Sequence, residues 1–284
     1  MEKETNQLEK VIKLGLPKLE GRISTYYSEG AETRAQKLAT DVTAMHAFYH
    51  ERLGIQATVT LAVLNANDWI KVNSAPYGAP NVSMWSPPPV IFMPATSGGL
   101  AFKFMVGRKD AIPAELLSSY LEINQTTFET AADEFVDIIG FHELGHPLCG
   151  HYRIAPRCHW LNEYIASYFA YAFIAELKPE SKKVFELLGR PSKARPKNTT
   201  LADFERLYAG VDDYGWYHGM FEAHIQQLYP KMGLQFLTEL QRRFPTTGPT
   251  QRLPRPNPVP PEEVLEELEK FAPGFESWAR SFQE

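Results

Sequence analysis

Apolar residues recur at intervals of three and four between residues 31 and 53, which is the repeat of one face of an α-helix. The members of this stripe are Ala31, Ala35, Leu38, Val42, Met45, Tyr49 and Leu53. Gly54 follows directly, and glycine is common just after a helix end. Residues 22–28 and 56–64 carry short runs of β-branched and aromatic residues, which are typical of strands. The pattern predicts a strand, a long helix and a second strand in succession.

A shorter apolar run, Val90, Ile91, Phe92 and Met93, lies between prolines. Proline has no N–H to donate to a sheet, so a strand flanked by prolines suits the edge of a sheet. The run therefore predicts an edge strand, and a plain connecting strand is the alternative.

The second half of the chain is mainly helical by its apolar pattern, with helices predicted over 159–177, 201–209, 215–229 and 233–243. Residues 244–261 contain seven prolines and predict an extended connector over the surface. A short amphipathic helix is predicted over 262–271. Phe275, Trp278 and Phe282 then indicate that the last segment packs back against the body of the protein.

A second helical stripe ends in two histidines; its members are Ala132, Phe135, Ile139, His142 and His146. His142 and His146 lie one turn apart on the same face, so both imidazoles can reach one metal ion. Glu143 is then placed beside that metal, where a general base acting on a bound water would stand. Two ordinary histidines on a helix are the alternative for so short a motif. Pro147 disfavours helical geometry at His146, so the helix is predicted to end there.

A third metal ligand is predicted at Glu163. Residues 158–175 read CHWLNEYIASYFAYAFIA, an apolar, aromatic-rich run of helical length in which Glu163 is the only formal charge. A buried, unpaired carboxylate costs several kcal/mol or more, and a shared cation would remove that cost. The alternative is that Glu163 lies at the exposed start of the helix, where the helix dipole favours a negative charge.

The HELGH motif followed by WLNEYIA resembles the gluzincin metallopeptidases, in particular their M1 aminopeptidase-like branch within the peptidase MA-like proteins. The resemblance implies an α+β, thermolysin-like (zincin) catalytic domain: a small mixed sheet with helices, then a mainly helical subdomain, with the active site in the cleft between them. It also implies zinc-dependent hydrolysis of peptide bonds, with one Zn²⁺ held by His142, His146 and Glu163 and with Glu143 as the general base. The matching subdivision of the chain is an N-terminal extension (1–17), an α/β subdomain (18–150) and a helical subdomain (151–284).

The same family uses a downstream tyrosine or histidine to stabilise the oxyanion. The resemblance implies Tyr217 for this role, with His218 and then Tyr214 as the other choices. In related enzymes an edge strand beside the zinc helix binds the substrate peptide, which implies Val90–Met93 as a substrate-binding strand.

Two positions depart from the family pattern. Ser167 stands where some relatives have an acidic residue that orients a zinc histidine, so that support must come from a hydroxyl or from elsewhere. The Gly-x-Met-Glu-Asn motif that binds a free amine in the aminopeptidases is absent: residues 78–81 read GAPN. Exopeptidase activity therefore does not follow from the resemblance.

Composition fits a modest-sized globular enzyme, with 284 residues, 44% hydrophobic residues and a net charge of −5. No long basic run indicates a nucleic-acid partner, and no transmembrane segment is expected. The N-terminus has no apolar stretch of signal-peptide length, so the chain as it stands is expected to be cytoplasmic, or extracytoplasmic if it was trimmed. Cys149 and Cys158 allow either a disulfide or two reduced, buried thiols. An inactive gluzincin-fold binding module and a zinc hydrolase of a non-peptide substrate remain open as alternative functions.

Overall fold

The computed structural model describes residues 6–84, 87–191, 196–208, 214–246 and 260–282. Over these residues the chain is α+β, as the sequence predicts. The elements in chain order are α1 (Gln7–Lys13), β1 (Lys18–Leu19), β2 (Ser24–Tyr27), α2 (Glu32–Leu53), β3 (Thr60–Leu64), α3 (Ala66–Val72), β4 (Asn81–Ser83), β5 (Val90–Pro94), α4 (Leu100–Gly107), a 3₁₀ turn (Lys109–Ala111), α5 (Ala114–Ile123), α6 (Phe128–His151), α7 (His159–Leu177), α8 (Pro179–Leu188), α9 (Leu201–Leu207), α10 (Tyr214–Met232), α11 (Gln235–Arg243), α12 (Pro261–Glu269) and α13 (Phe275–Ser281).

The described strands form one mixed sheet in the order β1-β2-β3-β5-β4. The central strands β2, β3 and β5 are parallel, and β1 and β4 pair antiparallel at the two edges. The prediction that Val90–Met93 forms an edge strand is therefore wrong. Its flanking prolines end the strand, but β4 pairs along its outer side, with Val82 opposite Ile91. On this side of the sheet the edge strand is β4, which packs beside α6.

Helices cover both faces of the sheet, so β3 and β5 are buried along their whole length. Alternate residues of a strand point to opposite faces. Leu61 and Val63 of β3 join the main core with α2, α6 and α7, whereas Ala62 and Leu64 join a smaller cluster. That cluster includes Trp69 of α3 together with Val11 of α1, which lies inside the segment predicted to be an N-terminal extension.

The long helix predicted from the first apolar stripe is confirmed as α2, and Gly54 caps its C-terminus in the left-handed conformation at φ 69°. At the other end of the chain, Phe275, Trp278 and Phe282 are buried in the main core, which confirms the predicted docking of the last segment. Most of the proline-rich connector, residues 247–259, lies outside the described residues. Over the described ranges, no helix combines the length and the hydropathy that crossing a bilayer would need.

The motif helix α6 does not end at His146 but continues through Pro147 to His151. A proline inside a helix removes one backbone hydrogen bond and costs about 3 kcal/mol or more. Here the turn after His146 is buried, with Leu148 and Cys149 packed in the main core. Tertiary packing therefore outweighs the local preference that the sequence expressed. Cys149 and Cys158 are buried, and no disulfide joins them.

Helices α6 and α7 come into close contact at Gly145. A Cβ atom at this position would lie 2.6 Å from the carbonyl oxygen of Ala166 and 2.8 Å from its Cα atom. Glycine therefore lets the two backbones come into direct contact, and Glu163 lies about one turn before Ala166 on the same helix. This approach brings the carboxylate of Glu163 to His142 and His146.

We expect Gly145→Ala to lower the free energy of unfolding by about 1–3 kcal/mol, because the added methyl group meets a backbone that cannot rotate away. Gly140→Ala is the matched control on the same helix. Its methyl group would meet only the thioether end of Met93, a flexible side chain. The gain in helix propensity, about 1 kcal/mol, then offsets most of the contact. Urea denaturation of the two variants tests this; equal stability of both would contradict the close helix contact.

Candidate metal centre

Three side chains from two helices bring their ligand atoms together. His142 and His146 belong to α6, and Glu163 lies in the second turn of α7. One ligand atom from each of the three lies within 4.8 Å of the others. The Glu163 Oε2 atom is 3.1 Å from Nε2 of His142 and 3.7 Å from Nε2 of His146. The structure thus assembles the three predicted ligands into a candidate metal-binding triad.

More polar atoms face Glu163 Oε2 than one carboxylate oxygen can bind. Besides the two histidines of α6, the Nε2 atom of His218 lies 3.8 Å away, and the Tyr214 hydroxyl donates a hydrogen bond of 3.0 Å. Nε2 of His218 is buried and has no hydrogen-bond partner among the described residues. A buried nitrogen without a partner costs free energy that a bound ligand would recover. The arrangement favours a cation or a polar ligand within this cluster.

The spacing of the donor atoms suits a tetrahedral metal ion. Protein nitrogen and oxygen ligands lie about 2.0–2.2 Å from such an ion, which places neighbouring ligand atoms roughly 3.4 Å apart. The observed separations of 3.1 and 3.7 Å from Glu163 Oε2 lie on either side of that distance. Two imidazoles and one carboxylate would leave the fourth position open for water or a substrate, as in catalytic sites.

The protonation states of Glu163 and His146 suit metal binding. The pKa of His142 is raised, because its contact with Glu163 outweighs burial, so a metal would displace a proton there. Burial alone would raise the pKa of Glu163, but the imidazoles of His146 and His142 outweigh it and hold this pKa well below its ordinary value. Burial, together with the neighbouring His142, lowers the pKa of His146 to about 4 and that of His218 to about 3. Both imidazoles are therefore neutral at pH 7, and the neutral imidazole of His146 has the free lone pair that a metal requires.

A second set of side chains holds the ligands in place. Ser167 Oγ lies 3.0 Å from Nδ1 of His142, so of the two sources left open by the sequence the hydroxyl is the one that contacts this histidine. The side-chain amide of Asn162 lies 3.1 Å from Nδ1 of His146. Since Nδ1 of each histidine is engaged, Nε2 is left to face the cluster.

Sequence reasoning did not find Tyr208, whose hydroxyl donates a 2.6 Å hydrogen bond to Oε1 of Glu163. Its ring stacks on His159, which is held by Glu205 at 2.7 Å. Glu205 also accepts a hydrogen bond from the backbone N–H of His159 at the start of α7. A lone tyrosine after a short helix carries no sequence signal for such a role, because only the packing of α9 against α7 brings it there.

Glu143, the predicted general base, is half-buried beside the triad. Burial and repulsion from Glu163 raise the pKa of its carboxyl to about 8, while His142 opposes this shift. A bound cation would lower this pKa again, since it supplies a positive charge close by. The backbone of Val82 also opposes the rise, so the edge strand β4 lies next to Glu143.

Of the three residues predicted for oxyanion stabilisation, the structure brings two to the cluster. Tyr214 and His218 lie one turn apart on α10 and both face Glu163. Tyr217, the first choice, does not lie there. Its hydroxyl donates to the backbone carbonyls of Asn198 and Thr200, and its ring is fully buried. Although Tyr217 directly precedes His218, its side chain leaves α10 in a different direction and enters the core.

Comparison of the chain with protein-family models, with curated proteins and with solved structures gave no match.

We expect Ser167→Ala to weaken metal binding by about 10- to 100-fold, because the His142 imidazole loses the partner that fixes its orientation. Competition with a chromophoric chelator for Zn²⁺ would measure this affinity. Ser181→Ala is a suitable control, since it removes a buried hydroxyl that contacts Glu134 instead of the cluster. Unchanged affinity in Ser167→Ala would mean that this hydroxyl does not support a metal ligand.

Proposed function

We propose that this chain is a zinc-dependent hydrolase of peptide bonds in which His142, His146 and Glu163 hold one Zn²⁺ and Glu143 is the general base. The observation that carries the proposal is the convergence of three imidazole nitrogens on a single buried carboxylate oxygen, with a second carboxyl beside it. Nitrogen ligands combined with one carboxylate are a donor set that zinc accepts readily.

We further propose a thermolysin-like arrangement of the catalytic domain. Its support is the placement of the motif helix α6 beside a mixed sheet, with an antiparallel edge strand on one side and the helix that carries the third ligand on the other. The resemblance of HELGH and WLNEYIA to the gluzincin motifs supports the same arrangement. In this proposal the site lies where β4, α6, α7 and α10 meet.

Zinc, when bound, supplies Lewis acidity that brings the pKa of a water towards neutrality and polarises a carbonyl. Glu143 then accepts the proton of the attacking water and passes it to the departing amine. His218 donates a hydrogen bond to the developing oxyanion. We prefer His218 to Tyr214 because its Nε2 has no other partner among the described residues, whereas the Tyr214 hydroxyl is engaged with Glu163.

The extended substrate would bind along β4 instead of the predicted strand Val90–Met93. The β5 strand has a neighbour on each side, so its backbone groups are occupied. The backbone of Val82 in β4 lies close to Glu143, and no strand pairs with the outer side of β4 among the described residues. A peptide added to that free edge would pass directly beside the general base.

We expect Glu143→Gln to keep zinc but to lower kcat on cleaved peptides by about 10²- to 10⁴-fold, the contribution of a positioned general base. His142→Ala should lose both zinc and activity, because one of three ligands is gone. Metal content by mass spectrometry and cleavage of a proteome-derived peptide library would be measured on the same samples.

Equal activity of Glu143→Gln and the wild type would remove the catalytic proposal. Zinc binding without cleavage of any peptide would favour an inactive binding module. Turnover of ester or epoxide substrates in place of peptides would favour a zinc hydrolase of another substrate class.

We expect His218→Ala to lower kcat by about 10²- to 10³-fold with little change in KM, because its hydrogen bond forms mainly in the transition state. Tyr217→Phe is the control on the same helix. It should keep kcat while lowering stability by about 1–2 kcal/mol, because two backbone carbonyls lose their donor. Steady-state kinetics and thermal unfolding separate these effects. The opposite result, a loss of kcat only in Tyr217→Phe, would return the oxyanion role to Tyr217.

A further inference from the structure

A cavity of about 370 Å³ opens beside the metal centre, and His142 and Glu143 form part of its wall. This volume is near the lower end for small-molecule sites, about 300–1,000 Å³. Most of its lining is apolar and comes from α4, α6 and α8; the main contributors are Leu100, Phe104, Met105, Phe135, Ile138 and Phe185. Such a space next to the general base suits a side chain that flanks the reacting bond.

Besides Glu143, a second carboxylate lies in this mainly apolar lining. Glu222 of α10 is only 8% exposed, and among the described residues its carboxyl forms no hydrogen bond and no ion pair. Gly189, at the end of α8, leaves it room: a Cβ atom there would lie 2.5 Å from Glu222 Oε2. Burial raises the pKa of Glu222 to about 7, as expected for a carboxyl without a contacting counter-charge.

The cation nearest to Glu222 in this lining, Arg108, is already engaged elsewhere. Its guanidinium donates to the backbone carbonyl of Arg190 and lies over the ring of Phe104, 5.4 Å from its centroid. It lowers the pKa of Glu222 through space but makes no ion pair with it. The carboxylate therefore faces an apolar cavity, and a cationic group entering that cavity would be its direct partner.

We propose that this cavity binds a lysine or arginine side chain of the substrate, with the aliphatic stem between the apolar walls and the cationic end on Glu222. This assignment rests on the proposed peptidase function, since it takes the cavity as the pocket for a residue flanking the scissile bond. It gives the enzyme a preference for basic residues at that position. The zinc ligands and Glu143 cut next to that residue whichever side of the bond it occupies.

Cleavage of matched peptides tests the preference. Two series would place lysine or norleucine on either side of the scissile bond and would be compared in the wild type and in Glu222→Gln. We expect kcat/KM of the wild type to be about 10- to 100-fold higher for the lysine peptide than for the norleucine peptide. In Glu222→Gln the two peptides should be cleaved about equally well. Glu115→Gln, which removes an exposed glutamate at the start of α5, is the matched control and should keep the preference. An unchanged ratio in Glu222→Gln would overturn the proposal while leaving the peptidase function intact.

A second variant tests the proposal even if Glu222→Gln does not fold. Arg108→Met removes a positive charge that would repel the lysine side chain of the substrate. We therefore expect the lysine preference to rise instead of fall. A preference for acidic side chains that Arg108→Met abolishes would overturn the proposal and would assign the cavity to anionic groups.

Binding without catalysis separates the two proposals. Titration calorimetry would compare N-acetyl-lysine methylamide with N-acetyl-norleucine methylamide on the full chain carrying Glu143→Gln, with and without Glu222→Gln. Binding of the lysine compound that is about tenfold tighter, and that is lost with Glu222→Gln, supports the pocket even if no peptide is cleaved. Equal binding of the two compounds would overturn it.

Discussion

The carboxylate of Glu163 is 2% exposed and lies in a helix whose other residues through Ala175 carry no formal charge, so its compensation must come from other elements. An uncompensated ion at that depth costs several kcal/mol. The groups that contact it are the two imidazoles from α6, the hydroxyl of Tyr208, which follows α9, and the hydroxyl of Tyr214 from α10. Each of these elements therefore places a polar side chain against the Glu163 carboxylate.

This electrostatic constraint is combined with a steric one. The imidazoles can face Glu163 only if the axes of α6 and α7 come close, and Gly145 against the backbone of Ala166 makes that possible. The same packing holds the buried turn after Pro147 in helical form. The two helices therefore act as one rigid unit, which is the kind of support that keeps ligand atoms within a few tenths of an ångström of their working positions.

The surroundings of the cluster are unequal. On one side lie hydroxyl and amide groups that orient the histidines, and on the other lies a mainly apolar cavity with the carboxyls of Glu143 and Glu222 in its wall. Low polarity strengthens charge interactions, so both Glu143 and Glu222 respond strongly to whatever cation enters. The triad would then carry out the reaction, and the neighbouring cavity would bind a substrate side chain. Glu143 lies between the two.

The features that depend on spacing within one element could be predicted from the residues alone. The pairing of His142 with His146, the long α2 and its glycine cap, and the span of α7 all follow from helical periodicity. The lone charge of Glu163 in an apolar helix also marked it for the cluster, because burial of a carboxylate demands a partner. Long-range packing sets which strand forms the sheet edge beside α6, how far α6 continues beyond Pro147, and which aromatic residue of α10 faces the site. Those outcomes depend on contacts between residues far apart in the chain, such as β4 with β5 and Tyr208 with Glu163, and local patterns carry no information about such contacts.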